Sequence, residues 1–293
     1  MNITEEIKDS FKNGTALTRL IYINLGVFLA LHIAIIFLYL FSAHEQLYRI
    51  IEWLAVPADL GTLVRRPWTI FSYMFLHKDF FHILFNLLWL YWFGKIFLSY
   101  LDEKRLLNVY LLGGISGSIL YIVAYNLVPV LNQQSTNSVA MGASAAVMAI
   151  VIATATFAPD HKIYLVFVGP VKIIWVALVG FILSSMVDFS VNTGGKIAHM
   201  GGALFGYFFI LRYKQGKDIS KWFSTIMDAI FTMLKPGKKM KVTHKRTSND
   251  FEYNAIKKEQ QKNLDTILDK ISKSGYDSLT KEEKETLFKM GRN

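Results

Sequence analysis

Residues 141–158 read Met-Gly-Ala-Ser144-Ala-Ala-Val-Met148-Ala-Ile-Val-Ile-Ala-Thr-Ala-Thr-Phe-Ala. The run carries no charge and opens on small residues around one serine, so it predicts an apolar helix that starts at Ser144. A second stretch, Ala198-His199-Met-Gly-Gly202-Ala-Leu-Phe-Gly206, predicts another apolar helix opened by a histidine. A third, His77-Lys-Asp-Phe-Phe-His82-Ile-Leu-Phe-Asn86, sets polar side chains at the head of an apolar run. Three polar groups at the mouths of apolar segments are hard to explain by packing alone.

Outward from these stretches, the chain is apolar in bulk. Its 293 residues are 53% hydrophobic and only 18% charged, with a mean hydropathy of +0.32. Soluble domains are less apolar and more charged. The apolar residues cluster between 20 and 213, and the remainder is polar, which predicts a membrane domain followed by a soluble tail. The chain has no cysteine, which excludes thiolate catalysis, disulfides and thiolate-ligated metal.

Six apolar segments are expected, at about 20–42, 81–101, 106–128, 144–159, 171–189 and 197–213, giving an all-α polytopic bundle. The fourth and sixth read as short, consistent with an aqueous cavity at their N-terminal ends. Residues 1–19 form a polar N-terminal segment without a secretory signal. Residues 214–254 hold an amphipathic interfacial helix, with apolar positions 219, 222, 223, 226, 227, 230 and 234, and then a basic linker. Residues 255–293 predict two short helices, at 263–274 and 281–290, the second opened by the capping-box spacing Thr280-Lys-Glu-Glu283.

The basic residues assign orientation. Lys8, Lys12, Arg19, Lys104, Arg105 and Lys162 fall in loops that six spans place on one side, with the cluster from Lys214 to Arg246. Both termini are therefore expected in the cytoplasm. Arg65, Arg66 and Lys78 in the first loop run against that rule, and the loop is read as a folded surface element. The net charge of +10 is largely a tail effect, suited to a bilayer surface rather than to nucleic acid.

A serine hydroxyl is a weak nucleophile until a base takes its proton, and histidine is the usual base near neutral pH. Ser144 at a helix start would have free backbone N–H groups beside it, able to receive an oxyanion. Gly142 and Ala143 before it, and Ala145 and Ala146 after it, leave room for a substrate backbone. The competing reading is a small-residue packing motif between helices. Gly202 and Gly206 share one helix face and allow a close helix approach beside His199. If that neighbour is the fourth segment, His199 reaches Ser144; otherwise it merely anchors a span. His82 and Asn86, four apart, share a face and suit an oxyanion. Metal is their rival reading, opposed by the five-residue spacing of His77 and His82 and by the absence of a His-Glu-x-x-His motif. No cofactor or metal is expected.

In combination these motifs resemble the rhomboid family of intramembrane serine proteases. Gly142-Ala-Ser144-Ala matches the family's Gly-x-Ser-x, His82-x-x-x-Asn86 its second-span motif, and Ala198-His199-x-x-Gly202-x-x-x-Gly206 its sixth. The resemblance covers about 20–213. It implies a six-helix core, a Ser–His dyad without a third acid, and cleavage of transmembrane proteins. It also implies Ser144 as nucleophile, His199 as base, and His82, Asn86 and the Ser144 N–H as the oxyanion site. Three positions depart from the family. Ala145 follows the serine where glycine is frequent, Met148 replaces an aromatic ring, and the first loop's Trp-Arg is Trp68-Thr69. A catalytically silent relative that binds membrane proteins is the second hypothesis, and a transporter the third. Retention of both Ser144 and His199 argues for the enzyme. A bacterial plasma membrane is the expected location.

Overall fold

Alanine and glycine decide where the centre of the molecule lies. The computed structural model describes residues 2–41, 44–166, 168–234 and 250–290. It contains α1 (Ile3–Asn13), α2 (Ala16–Leu40), α3 (His44–Leu54), β1 (Val56–Pro57), α4 (Leu60–Arg65), α5 (Thr69–Ser72), α6 (Phe80–Leu98), α7 (Glu103–Leu127) and α8 (Pro129–Asn132). There follow β2 (Val139–Ala140), α9 (Ser144–Phe157), β3 (Lys162–Leu165), β4 (Gly169–Lys172), α10 (Ile173–Ser185), α11 (Thr193–Lys214), α12 (Lys221–Leu234), α13 (Asp250–Ser274) and α14 (Lys281–Met290). One compact unit runs from Met1 to Leu234 and a second from Lys235 to Asn293.

α9 is the central helix. Its Ala146, Ala149, Ile150, Val151, Ala153 and Ala155 are fully enclosed, because it is packed between α7 and α11. A methyl on Gly202 or Gly206 of α11 would run into the Ala145 or Ala149 carbonyl, and one on Gly113 of α7 into the Ala149 side chain. Small residues therefore face each other across both contacts, and the backbones approach closely. By contrast, α2 turns large apolar side chains outward, Ile33 at 64% exposure and Ile36 at 60% among them. A long apolar helix with an exposed apolar flank is a lipid-facing one.

Among the described residues, three helices are long and apolar enough to cross a membrane: α2, α6 and α7, with hydropathies of 2.4, 1.4 and 1.8. The protein is an integral membrane protein. The expected six segments all appear as helices, but not with the expected lengths. α9 and α10 are the short ones, at 14 and 13 residues, or about 20 Å each at the α-helical rise, short of a hydrocarbon core of about 30 Å. α11 has 22 residues, so the sixth segment is not short, and its start was hidden by Lys196 and the glycines around it.

The bundle's two ends differ in chemistry. At one end the Ala16 N–H donates to Glu103, Tyr100 pairs with His161, Arg105 with Asp218, and Lys214 Nζ donates to the Thr156 carbonyl. This end gathers the starts of α2 and α7 and the ends of α6, α9 and α11, together with the basic loop residues. α12 begins there too, held to α7 by the buried Asn108, which donates to the hydroxyls of Ser220 and Ser224 at 3.0 and 2.6 Å. Arg105 lies over the Tyr213 ring as well. Asp218 keeps its carboxyl below the ordinary range: burial opposes ionisation, but bonds from Ser220 and the charge of Arg105 outweigh it.

At the opposite end the first loop is folded, as expected. Trp53 and Trp68 stack at 5.4 Å, the Trp68 indole donates to the Trp53 carbonyl, and Arg66 sits over Trp53 while donating to the Glu52 carbonyl. Arg66 thus anchors the loop although it precedes the tryptophan. β1 pairs with β2, Val56 opposite Ala140, a contact without a helical or strand periodicity to announce it.

In the second unit, Thr280 and Glu283 form the expected reciprocal cap, the Thr280 N–H donating at 2.8 Å and the Glu283 N–H at 3.3 Å. α13 is 25 residues long, so residues 250–254, expected in a linker, are helical. The expected linker from 238 to 249, and the basic residues Lys235 to Arg246, lie outside the described residues.

Candidate active site

The segment leading into Ser144 is fixed by hydrogen bonds to the first loop and to α7. The Ala58 N–H donates to the Ser138 carbonyl, the Gly142 N–H to the Tyr73 carbonyl at 2.9 Å, and Tyr121 bonds the Ser138 hydroxyl at 2.9 Å. Ser144 is the first residue of α9 and Ala143 supplies no side-chain cap. The first N–H groups of the helix are thus free to serve an incoming anion.

Gly142 has φ +132, and a methyl there would lie 2.8 Å from His82 Nε2 and 3.6 Å from Ser144 Oγ. Only glycine fits such a backbone conformation, and its bare Cα is what lets the imidazole approach the serine. His82 Nδ1 accepts from the Lys78 N–H at 3.5 Å, so its ring proton belongs on Nε2, the nitrogen nearest Gly142. Asn86, 7% exposed, donates one amide hydrogen to the His82 carbonyl at 2.8 Å. Among the described residues its second amide hydrogen has no partner.

His199 is in the second turn of α11 rather than at its start, because the helix begins six residues earlier at Thr193. Asn192 caps it from a left-handed conformation, its side chain accepting from the Gly195 N–H. An asparagine before Thr-Gly-Gly-Lys is a legible N-cap signal; the weak hydropathy of that first turn obscured it. His199 Nδ1 meets the Ser184 carbonyl at 3.2 Å. A carbonyl can only accept, so Nδ1 carries the proton and Nε2 keeps its lone pair. The Asp188 carboxylate takes the Ser190 hydroxyl instead, and among the described residues no carboxylate bonds the ring.

Ser144, His199, His82 and Asn86 all line one cavity of about 600 Å³, walled further by Met141, Met148, Trp89, Leu183 and Asn192. No hydrogen bond joins Ser144 to His199 among the described residues. Ala145 faces away from the cavity: it is buried against Gly117 of α7, so its methyl fills the α7–α9 contact. Met148 does line the cavity, on the same wall as Ser144.

His77 has neither ring nitrogen bonded among the described residues. It packs edge-on against His82 with centroids 5.1 Å apart. Burial, aided by the neighbouring His82, pushes its pKa down to about 4. A histidine held neutral in the fold takes up its proton more readily when unfolded, so it lowers stability as pH falls from about 6.5 toward 4 and costs nothing above that window. His77→Leu is expected to flatten this part of the stability profile by roughly 2 kcal/mol between pH 7 and 4.5, read from detergent melting at both pH values. An unchanged slope would mean that the imidazole is hydrated in the fold. Among the described residues no group of three metal-binding side chains occurs.

The rhomboid-domain family matches residues 64–215, which include every residue lining the cavity. A family of unknown function (DUF6576) matches residues 247–292. The chain is also similar to RHOMBOID-like protein 12, mitochondrial, of Arabidopsis thaliana, 27% identical over 159 residues. That alignment covers 51% of this chain and 47% of the plant protein, so the chain spans about half the length of the curated relative it matches.

Proposed function

The chain belongs to the rhomboid family, and on that premise we propose that it is a serine endopeptidase that cleaves transmembrane proteins within the bilayer. The observation that carries the reading is the meeting of Ser144, His199, His82 and Asn86 in one cavity, with His199 Nδ1 on the Ser184 carbonyl. Ser144 Oγ attacks the scissile carbonyl while His199 Nε2 takes its proton. The Ser184 carbonyl then holds the imidazolium through Nδ1–H, in the place an acid occupies in a full triad. The oxyanion accepts from the Ser144 N–H, His82 Nε2–H and the free amide hydrogen of Asn86. His199 returns its proton to the leaving amine, and water repeats the sequence on the acyl-serine. Catalytic hydrogen bonds tighten when substrate binds, and the Ser144–His199 bond is expected to form in that complex.

The same reading takes α2, α6, α7, α9, α10 and α11 as six spans, the enclosed α9 being short because protein rather than lipid surrounds it. It puts both termini in the cytoplasm, with α12 lying on that leaflet, and the catalytic cavity toward the opposite face of a bacterial plasma membrane. The first test is labelling of the detergent-solubilised protein by a fluorophosphonate, beside Ser144→Ala and His199→Ala. Labelling of the native chain alone is expected. Folded native protein that does not label would instead favour a silent membrane-protein binder.

A further inference from the structure

A helix leaves its last carbonyls without partners of its own and presents there the negative end of its dipole. α10 ends in this way at Ser185. Its Ile182 carbonyl is taken by the Met186 and Val187 N–H groups at 2.9 and 3.3 Å, and its Ser184 carbonyl by His199. Just beyond, Lys196 Nζ donates to the Val187 carbonyl at 2.6 Å and to the Asp188 carbonyl. Lys196 and His199 are three apart on α11 and share a face. One face of α11 thus grips the end of α10 at two points.

That grip carries two costs. Lys196 is only 8% exposed and has no carboxylate partner among the described residues, so its ammonium is held there by carbonyl dipoles. Asp188 sits at φ 47, a left-handed conformation unfavourable for a residue with a side chain. Packing would be served as well by a leucine at 196. A buried cation aimed at these particular carbonyls is explained by the position it enforces.

We propose that Lys196 is a positioning residue: by holding the end of α10 it keeps the Ser184 carbonyl on His199 Nδ1, with Nε2 turned toward Ser144. The proposal rests on the serine-hydrolase reading above. It acts through His199, not on substrate, and so predicts an effect on reaction rate rather than on binding.

The test follows fluorophosphonate labelling of the full chain against probe concentration, which separates the first-order constant kinact from the half-saturating concentration KI. In Lys196→Met, kinact is expected to fall roughly tenfold to a hundredfold, as a misplaced catalytic group loses rate, while KI holds. Lys196→Arg, which keeps charge and reach, is expected to recover most of the loss. A purely structural role would lower the fraction of protein labelled at saturation and leave kinact alone, and that result overturns the proposal. Lys196→Gln, uncharged and one bond shorter, is the second variant should the methionine chain not fold. A native kinact in whichever of the two folds also overturns it. Native protein that labels beside unaffected variants removes the positioning role alone; native protein that does not label removes the hydrolase reading and this inference together.

Discussion

Gly202→Ala is expected to destabilise the protein by about 2–3 kcal/mol and to abolish fluorophosphonate labelling at Ser144. The sign is the informative part. Glycine inside a helix is worth roughly 0.5–1 kcal/mol less than alanine, so by backbone entropy alone the substitution should stabilise. Gly26 of α2 supplies that baseline, since a methyl there meets nothing within 4 Å, and Gly26→Ala is expected to be neutral or stabilising. At 202 the new methyl would run into the Ala145 carbonyl. The backbone of α9 cannot yield as a flexible side chain would, so the two helices must part. Ala145 adjoins Ser144 and Gly202 is one turn from His199, so the separation falls directly between the two. Melting in detergent and labelling, measured for both variants, check the prediction. A Gly202→Ala chain as stable and reactive as native would mean that α9 and α11 are not in close contact.

That dependence on close approach explains what the sequence could and could not announce. Gly202 and Gly206 spaced four apart, and the alanines after Ser144, are local patterns, so the α9–α11 contact is legible in the residues themselves. His82 and Asn86 on one face are legible for the same reason, as is the Thr280–Glu283 cap. The groups that orient the site are not. The Ser184 carbonyl is backbone, and no residue type signals that a backbone carbonyl will be left free for an imidazole. Lys196 reads in sequence as an interruption of an apolar run, and that interruption also conceals where α11 begins. Arg66 stands on the wrong side of Trp68 for the family's order, yet folding returns it to Trp53. Residues meeting through a turn or a helix end belong to tertiary geometry, which periodicity does not encode.

Gly142→Ala is expected to slow Ser144 labelling by about a hundredfold or more while leaving the serine in place. Two effects add. An alanine at φ +132 is strained by about 1–3 kcal/mol, and its methyl would lie 2.8 Å from His82 Nε2, so the imidazole must swing away. Among the described residues, Nδ1 of that ring is tied only by the 3.5 Å contact from the Lys78 N–H, a weak restraint, and the ring will move before the backbone does. The displaced Nε2–H then no longer serves the developing oxyanion, and losing one such donor costs about 10²–10³ in rate. His82→Ala should therefore lose a comparable factor. The two losses are not expected to multiply: in Gly142→Ala/His82→Ala the clashing ring is gone, and the double variant should label close to the rate of His82→Ala. Multiplicative losses would show that Gly142 and His82 act independently, and a native rate for Gly142→Ala would remove His82 from the oxyanion site. The backbone strain should lower melting equally in Gly142→Ala and in the double variant, while His82→Ala should melt close to native; the rate loss then follows the imidazole rather than stability, unlike the joint loss expected at Gly202.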